Sequence, residues 1–136
     1  MKKLVLSLIA FALVLGVAVA EQPDEPRNKA ALVIVGTVKK ITAKNSKFGG
    51  DGVMTNYTAD VVVDKVDSGK GAKAGDTIKV NWYNVTKTPS DPPDGAYGYN
   101  HKLKAKDRAK FWLMGRGKAW SIIYNKDGIE KLKRGK

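Results

Sequence analysis

Between Tyr57 and Val66 apolar and polar residues alternate, with Tyr57, Ala59, Val61 and Val63 on one side of the chain and Thr58, Asp60 and Asp64 on the other. A period of two is the pattern of a half-buried strand, because successive side chains of an extended chain point to opposite faces. Leu32 to Thr42 is rich in β-branched residues and predicts a strand bent or bulged at Gly36. Thr77 to Val85 predicts a third, with Ile78, Val80 and Trp82 on one side, and Ala109 to Gly115 and Ala119 to Asn125 predict a fourth and a fifth. Ile129 to Leu132 is a short pairing segment beyond the turn Lys126-Asp127-Gly128.

The polar stretches between these strands predict turns and loops. Ala43 to Asn56 carries Asn45, Ser46, Gly49, Gly50, Asp51 and Gly52, residues that supply turn conformations and little packing, so a surface loop is expected there. Ser68 to Asp76 reads as a turn. Thr86 to Lys106 has no apolar periodicity, and Pro89, Pro92 and Pro93 exclude a long helix or a central strand. A loop of that length in a small domain is usually functional or mobile.

The N-terminus changes the picture of where such a domain works. Lys2 and Lys3, the apolar run Leu4 to Val19 and the sequence Ala18-Val19-Ala20 before Glu21 have the three parts of a signal peptide with an A-x-A cut. Residues 1–20 are therefore expected to be removed and the product to be secreted or periplasmic, with no cysteine at the cut to carry a lipid. Residues 21–30, polar and holding Pro23 and Pro26, predict a flexible leader or one short helical turn. The domain proper spans 31–132, and 133–136 is a basic tail. Five strands without a long helix in about 116 residues favour a small closed or nearly closed β-barrel, since closure removes unpaired edges. The chain has no cysteine, so packing and strand pairing alone must hold the fold.

Three features of this order, taken together, carry a resemblance: the strand Ala31-Leu-Val-Ile-Val-Gly-Thr-Val38, the strand from Tyr57 leading to Gly75-Asp76, and the pair Phe111-Trp-Leu-Met-Gly115 and Trp120-Ser-Ile-Ile123. The chain resembles the OB-fold domain of tissue inhibitors of metalloproteases and netrin modules, and looks closer still to small signal-bearing proteins of planctomycete-like bacteria. The resemblance implies an all-β, five-stranded OB-like barrel of bacterial origin. It implies no metalloprotease inhibition of the known kind, because that mechanism needs a mature N-terminal cysteine and this chain has none.

Chemistry-bearing residues are few, and the sequence reads as a binding module rather than an enzyme. His101 is the only histidine and has lysine neighbours, which suits an ordinary exposed side chain better than a general base. A zinc site needs about four Cys or His ligands, so no metal and no cofactor are expected. Asp60 and Asp64 stand roughly 13 Å apart on an extended strand, beyond the ~5–9.5 Å of glycosidase carboxylate pairs. Asp91 and Asp94 bracket two prolines and suit turn formation rather than a calcium site. The glycines of Ser68 to Asp76 lack the phosphate-loop order and precede a strand. Asn56 and Asn84 head glycosylation sequons that mean nothing in a bacterial secretory chain.

Charge is the strongest positive signal. The whole chain carries +12, and removal of Lys2 and Lys3 from its 25 basic residues leaves 23 against 13 acidic ones, or +10. Such a surface attracts polyanions in a salt-dependent way. Lys102, Lys104 and Lys106 alternate with Leu103 and Ala105, so an extended chain there lines three ammonium groups on one side. Tyr97, Tyr99, His101, Arg108 and Lys110 lie near them in sequence, and OB-folds that bind single strands or oligosaccharides combine charges with exposed aromatics in this manner. The expected partner is a polyanion, a polysaccharide or a secreted protein, with nucleic acid less expected after export, bound by a monomer. The alternatives are an inhibitor of a secreted hydrolase and a structural envelope component.

Overall fold

The structure is a computed structural model and describes residues 25–91, 101–116 and 119–133. Residues 1–20, read above as a signal peptide, therefore lie outside the described residues. The fold is all-β, as expected. Among the described residues six strands form one sheet in the order β1-β2-β3-β5-β4-β6, and an additional β1–β4 pairing joins the first five into a ring. Their bounds are β1 Leu32–Phe48, β2 Gly52–Gly69, β3 Thr77–Lys87, β4 Arg108–Arg116, β5 Ala119–Ile122 and β6 Ile129–Lys131. All neighbours are antiparallel except β3 and β5, which pair parallel at Val80–Trp120 and Asn81–Ser121.

The ring encloses the core. Leu32, Ile34 and Val38 of β1 meet Ala59, Val61 and Val63 of β2, Val80 and Trp82 of β3, Phe111 and Leu113 of β4 and Ile122 beyond them. These are the inward positions of the alternation read from the sequence. Closing the ring requires β1 to bend, and β1 does so through register shifts at Val33/Ile34, Val35/Gly36 and Val38/Lys40. Gly36 permits the close approach: a Cβ there would lie 2.5 Å from Val61 Cγ1 and 2.9 Å from the Val62 carbonyl oxygen.

β1 is buried on both faces at its start, which explains its continuous apolar run. Val33, Trp112 and Ile123 form a second cluster, with Ala30 and Met114 packed against it. The leader helps to cover this cluster. Glu25 donates its backbone N–H to the Tyr124 carbonyl at 2.9 Å and accepts the Tyr124 amide on its carboxylate at 2.9 Å. A single 3-10 turn follows at Arg27–Lys29, and the Arg27 guanidinium sits 3.7 Å from the Trp112 ring centroid while its Nε donates to the Asp127 carbonyl at 2.7 Å. Of the two expectations for the leader, the described part takes the short helical turn, and these bonds tie it to the domain.

The loop expected over 43–56 is corrected. β1 continues to Phe48 and β2 begins at Gly52, leaving only Gly49, Gly50 and Asp51 as the turn, the two glycines at φ 57° and 88°. Its polar side chains bond across the sheet: Thr55 donates to Asn45 at 2.8 Å, and Asn56 donates to the Ser46 hydroxyl at 3.0 Å. The turn is anchored from β3's far end, where the Asp51 carboxylate accepts the Ser90 amide at 2.8 Å and the Ser90 hydroxyl. Those two bonds hold the Asp51 carboxyl below its ordinary pKa. The fifth strand ends at Ile122 rather than Asn125, and the short segment after it is a true strand, pairing β6 with β4.

Candidate functional site

Of the residues singled out in the sequence, Tyr97 and Tyr99 lie outside the described residues. The others divide into three settings.

His101 is buried, which corrects the expectation of an exposed side chain: only 4% of its surface is accessible. Its carbonyl accepts a hydrogen bond from Asn84 Nδ2 at 3.1 Å, which fixes the chain where it returns to β3. Burial pushes the imidazole pKa down to about 4, since a protonated ring would lose its hydration there. A solvent-facing ligand role is therefore closed to this side chain.

Arg108 and Lys110 open β4 and are engaged in ion pairs. Arg108 Nε lies 3.1 Å from Asp64 Oδ2, and Lys110 Nζ lies 3.0 Å from Asp67 Oδ2 and 5.2 Å from the Trp112 ring centroid. The hydrogen bond from Lys110 holds the Asp67 carboxyl below its ordinary pKa. On the same sheet, Asp60 pairs with Lys79 at 2.5 Å. The β2 carboxylates thus form a solvated, charge-matched face.

Lys102, Lys104 and Lys106 are exposed, but they do not form an extended row. Lys104 to Asp107 make a turn in which the Asp107 amide donates to the Lys104 carbonyl at 3.1 Å, and the Asp107 carboxylate accepts the Lys104 amide at 3.0 Å. Lys106 adopts φ 77°. The carboxylate of Asp107 closes the turn, and the left-handed backbone at Lys106 reverses the chain into β4. This turn is stitched to β1: Lys106 donates its amide to the Val38 carbonyl at 2.7 Å, and Val38 donates to the Asp107 carbonyl at 2.8 Å. It therefore meets β1 where that strand presents the exposed residues Lys39 and Lys40.

Neither a known protein family, nor a curated protein, nor a solved structure matches this chain. Among the described residues, no ion pair involves Lys39, Lys40, Lys102, Lys104 or Lys106, in contrast to Arg108 and Lys110. Among the described residues, no group of three or more His, Cys, Asp or Glu side chains could hold a metal ion.

Lys39 and Lys40 escaped the sequence reading because they lie in a strand more than sixty residues before the loop they meet. Their signal was a pair of lysines just past the point where β1's apolar run ends. The tryptophans divide between settings. Trp82 is buried, with its ring stacked on Tyr57 at 5.1 Å, while Trp120 is half-buried against the core.

Proposed function

We propose that this protein is an exported, non-enzymatic binding module for an anionic partner, a polyanion or an acidic polysaccharide of the cell envelope. The observation that carries the reading is the junction at Val38, where the turn bearing Lys104 and Lys106 is bonded to the strand bearing Lys39 and Lys40. Cations gathered without carboxylate partners keep their attraction for an outside anion, whereas paired ones have spent theirs locally. The binding surface is accordingly centred on Lys39, Lys40, Lys102, Lys104 and Lys106, with Arg108 and Lys110 at its edge. The five-stranded ring, with β5 inserted between β3 and β4, supports an OB-type domain, a fold that other proteins use for oligonucleotides and oligosaccharides.

The test is a salt titration with a sulfated oligosaccharide as probe. Affinity should fall as salt rises, and the slope of log affinity against log salt should shrink by about one unit per lysine removed. Replacing Lys102, Lys104 and Lys106 by Gln should weaken binding and flatten the slope while leaving the melting temperature nearly unchanged, because such surface changes seldom exceed about 0.5 kcal/mol. A triple variant that binds as the parent does would remove the turn from the site. A parent that binds nothing at low salt would end the anion reading. A stoichiometric protein partner that survives moderate salt would favour a hydrolase inhibitor instead.

A further inference from the structure

β1 outlives its pairing with β4. The β1–β4 register ends at Thr37–Arg108, Val38 bonds to the turn before β4, and from Lys40 to Lys47 the strand pairs only with β2. A strand directs its backbone N–H and C=O groups alternately to its two sides, so half of these groups over Lys40–Lys47 point away from β2. Among the described residues, no backbone group meets them. Eight residues of strand extend about 26 Å, more than an ordinary strand of five or six residues.

The side chains on this stretch are exposed apart from the half-buried Ile41, and they include Lys40, Lys44 and Lys47, with Lys39 beside them. No acidic residue occurs between Val38 and Asp51. The turn that brings Lys104 and Lys106 abuts the start of the edge at Val38. This charge decides who can pair there. A second copy of the chain laid along the same edge would set lysines against lysines, which is unfavourable across a sheet. Edge lysines protect sheets against chance pairing in this way, and a strand carrying carboxylates is the one such protection admits.

We propose that the outer edge of β1 from Lys40 to Lys47 accepts an extended acidic segment of a partner protein as an additional strand. The inference rests on the anion-binding reading for its charge and adds a backbone ladder to it. A polysaccharide or a nucleic acid can neutralise the lysines, but only a polypeptide supplies donors and acceptors at strand spacing.

Three probes test it by fluorescence anisotropy against the full mature chain: an eight-residue peptide alternating glutamate and threonine, the same peptide N-methylated at every amide, and a sulfated oligosaccharide. The expected result is binding of the plain peptide at least tenfold tighter than that of the N-methylated one, with slowed amide exchange confined to residues 40–47. A Lys40→Glu, Lys44→Glu double variant should lose the glutamate peptide by a further tenfold and gain a peptide in which lysine replaces glutamate. Its amide-exchange pattern elsewhere reports whether the fold is intact. Equal binding of plain and methylated peptides overturns the added strand and leaves the anion reading standing. Binding of the oligosaccharide alone does the same, and binding of no probe overturns both. Unchanged peptide affinity in the double variant places the peptide elsewhere and overturns the assignment of the edge.

Discussion

The burial of His101 makes the stability of the fold depend on pH in a definite window. Its pKa falls from an ordinary 6.5 to about 4 because the folded chain takes the ring out of water. Above pH 6.5 the imidazole is neutral in both folded and unfolded chains, so it contributes no pH dependence. Between pH 6.5 and about 4 the unfolded chain takes up a proton that the folded chain refuses, so stability falls as pH falls. Below about 4 both states are protonated and this loss is complete. Each pH unit inside the window is worth about 1.4 kcal/mol, so the full span removes about 3 kcal/mol from a domain whose total stability is of order 5–15 kcal/mol.

The assay is urea denaturation at half-unit steps from pH 7.5 to 4.5, with His101→Gln alongside, since the bond from Asn84 Nδ2 is accepted by the backbone carbonyl of residue 101 and survives the change. The parent should lose stability steadily below pH 6.5, and the variant should lose much less across pH 6.5 to 5, before the carboxylates titrate. His101 is the only histidine, so its ring resonance can be followed by NMR without assignment. A titration midpoint near 6.5, or parallel pH profiles for parent and variant, would refute the reasoning.

Two further outcomes follow from packing. Gly36→Ala places a methyl group 2.5 Å from Val61 Cγ1 at the bend of β1, so it should lower stability by about 1–3 kcal/mol, read as a drop in the urea midpoint. A midpoint within experimental error of the parent's would show that the bend is slack. Arg27→Ala removes both the bond to the Asp127 carbonyl and the cation over Trp112, and should cost about 1–2 kcal/mol and speed amide exchange at Tyr124 and Asn125. Unchanged exchange at those amides would mean that the leader docks without Arg27.

Strands with a recurring alternation, such as Tyr57 to Val66 and Thr77 to Val85, were readable because one face is more deeply buried than the other. The arm over 43–56 was not, because neither of its faces is packed as a core: Asn45, Ser46 and Asn56 look like loop residues until cross-strand bonds are seen. His101 misled for a related reason, since a polar neighbourhood in sequence says little about burial where the chain is drawn against a distant strand, here by the bond from Asn84 of β3. The basic character of Lys102 to Lys106 was legible locally. Its companions Lys39 and Lys40 were not, because only the long-range bonds at Val38 bring them together. The pairing of Arg108 and Lys110 with Asp64 and Asp67 was hidden in the same way.

The parallel joint between β3 and β5 is the shortest in the ring, two residue pairs against sixteen between β1 and β2. The hairpin of β1 and β2 joins residues near in sequence and has little loop entropy to overcome, whereas the joint must wait for residues some forty positions downstream of β3. With the fewest ladder pairs of any joint in the ring, it should be the first released when the fold breathes. An opening there would uncover Val80 and Ile122 while leaving the β1–β2–β3 sheet whole, so the fastest exchanging core amides should lie on β5 and mark a seam along which the ring parts without unfolding.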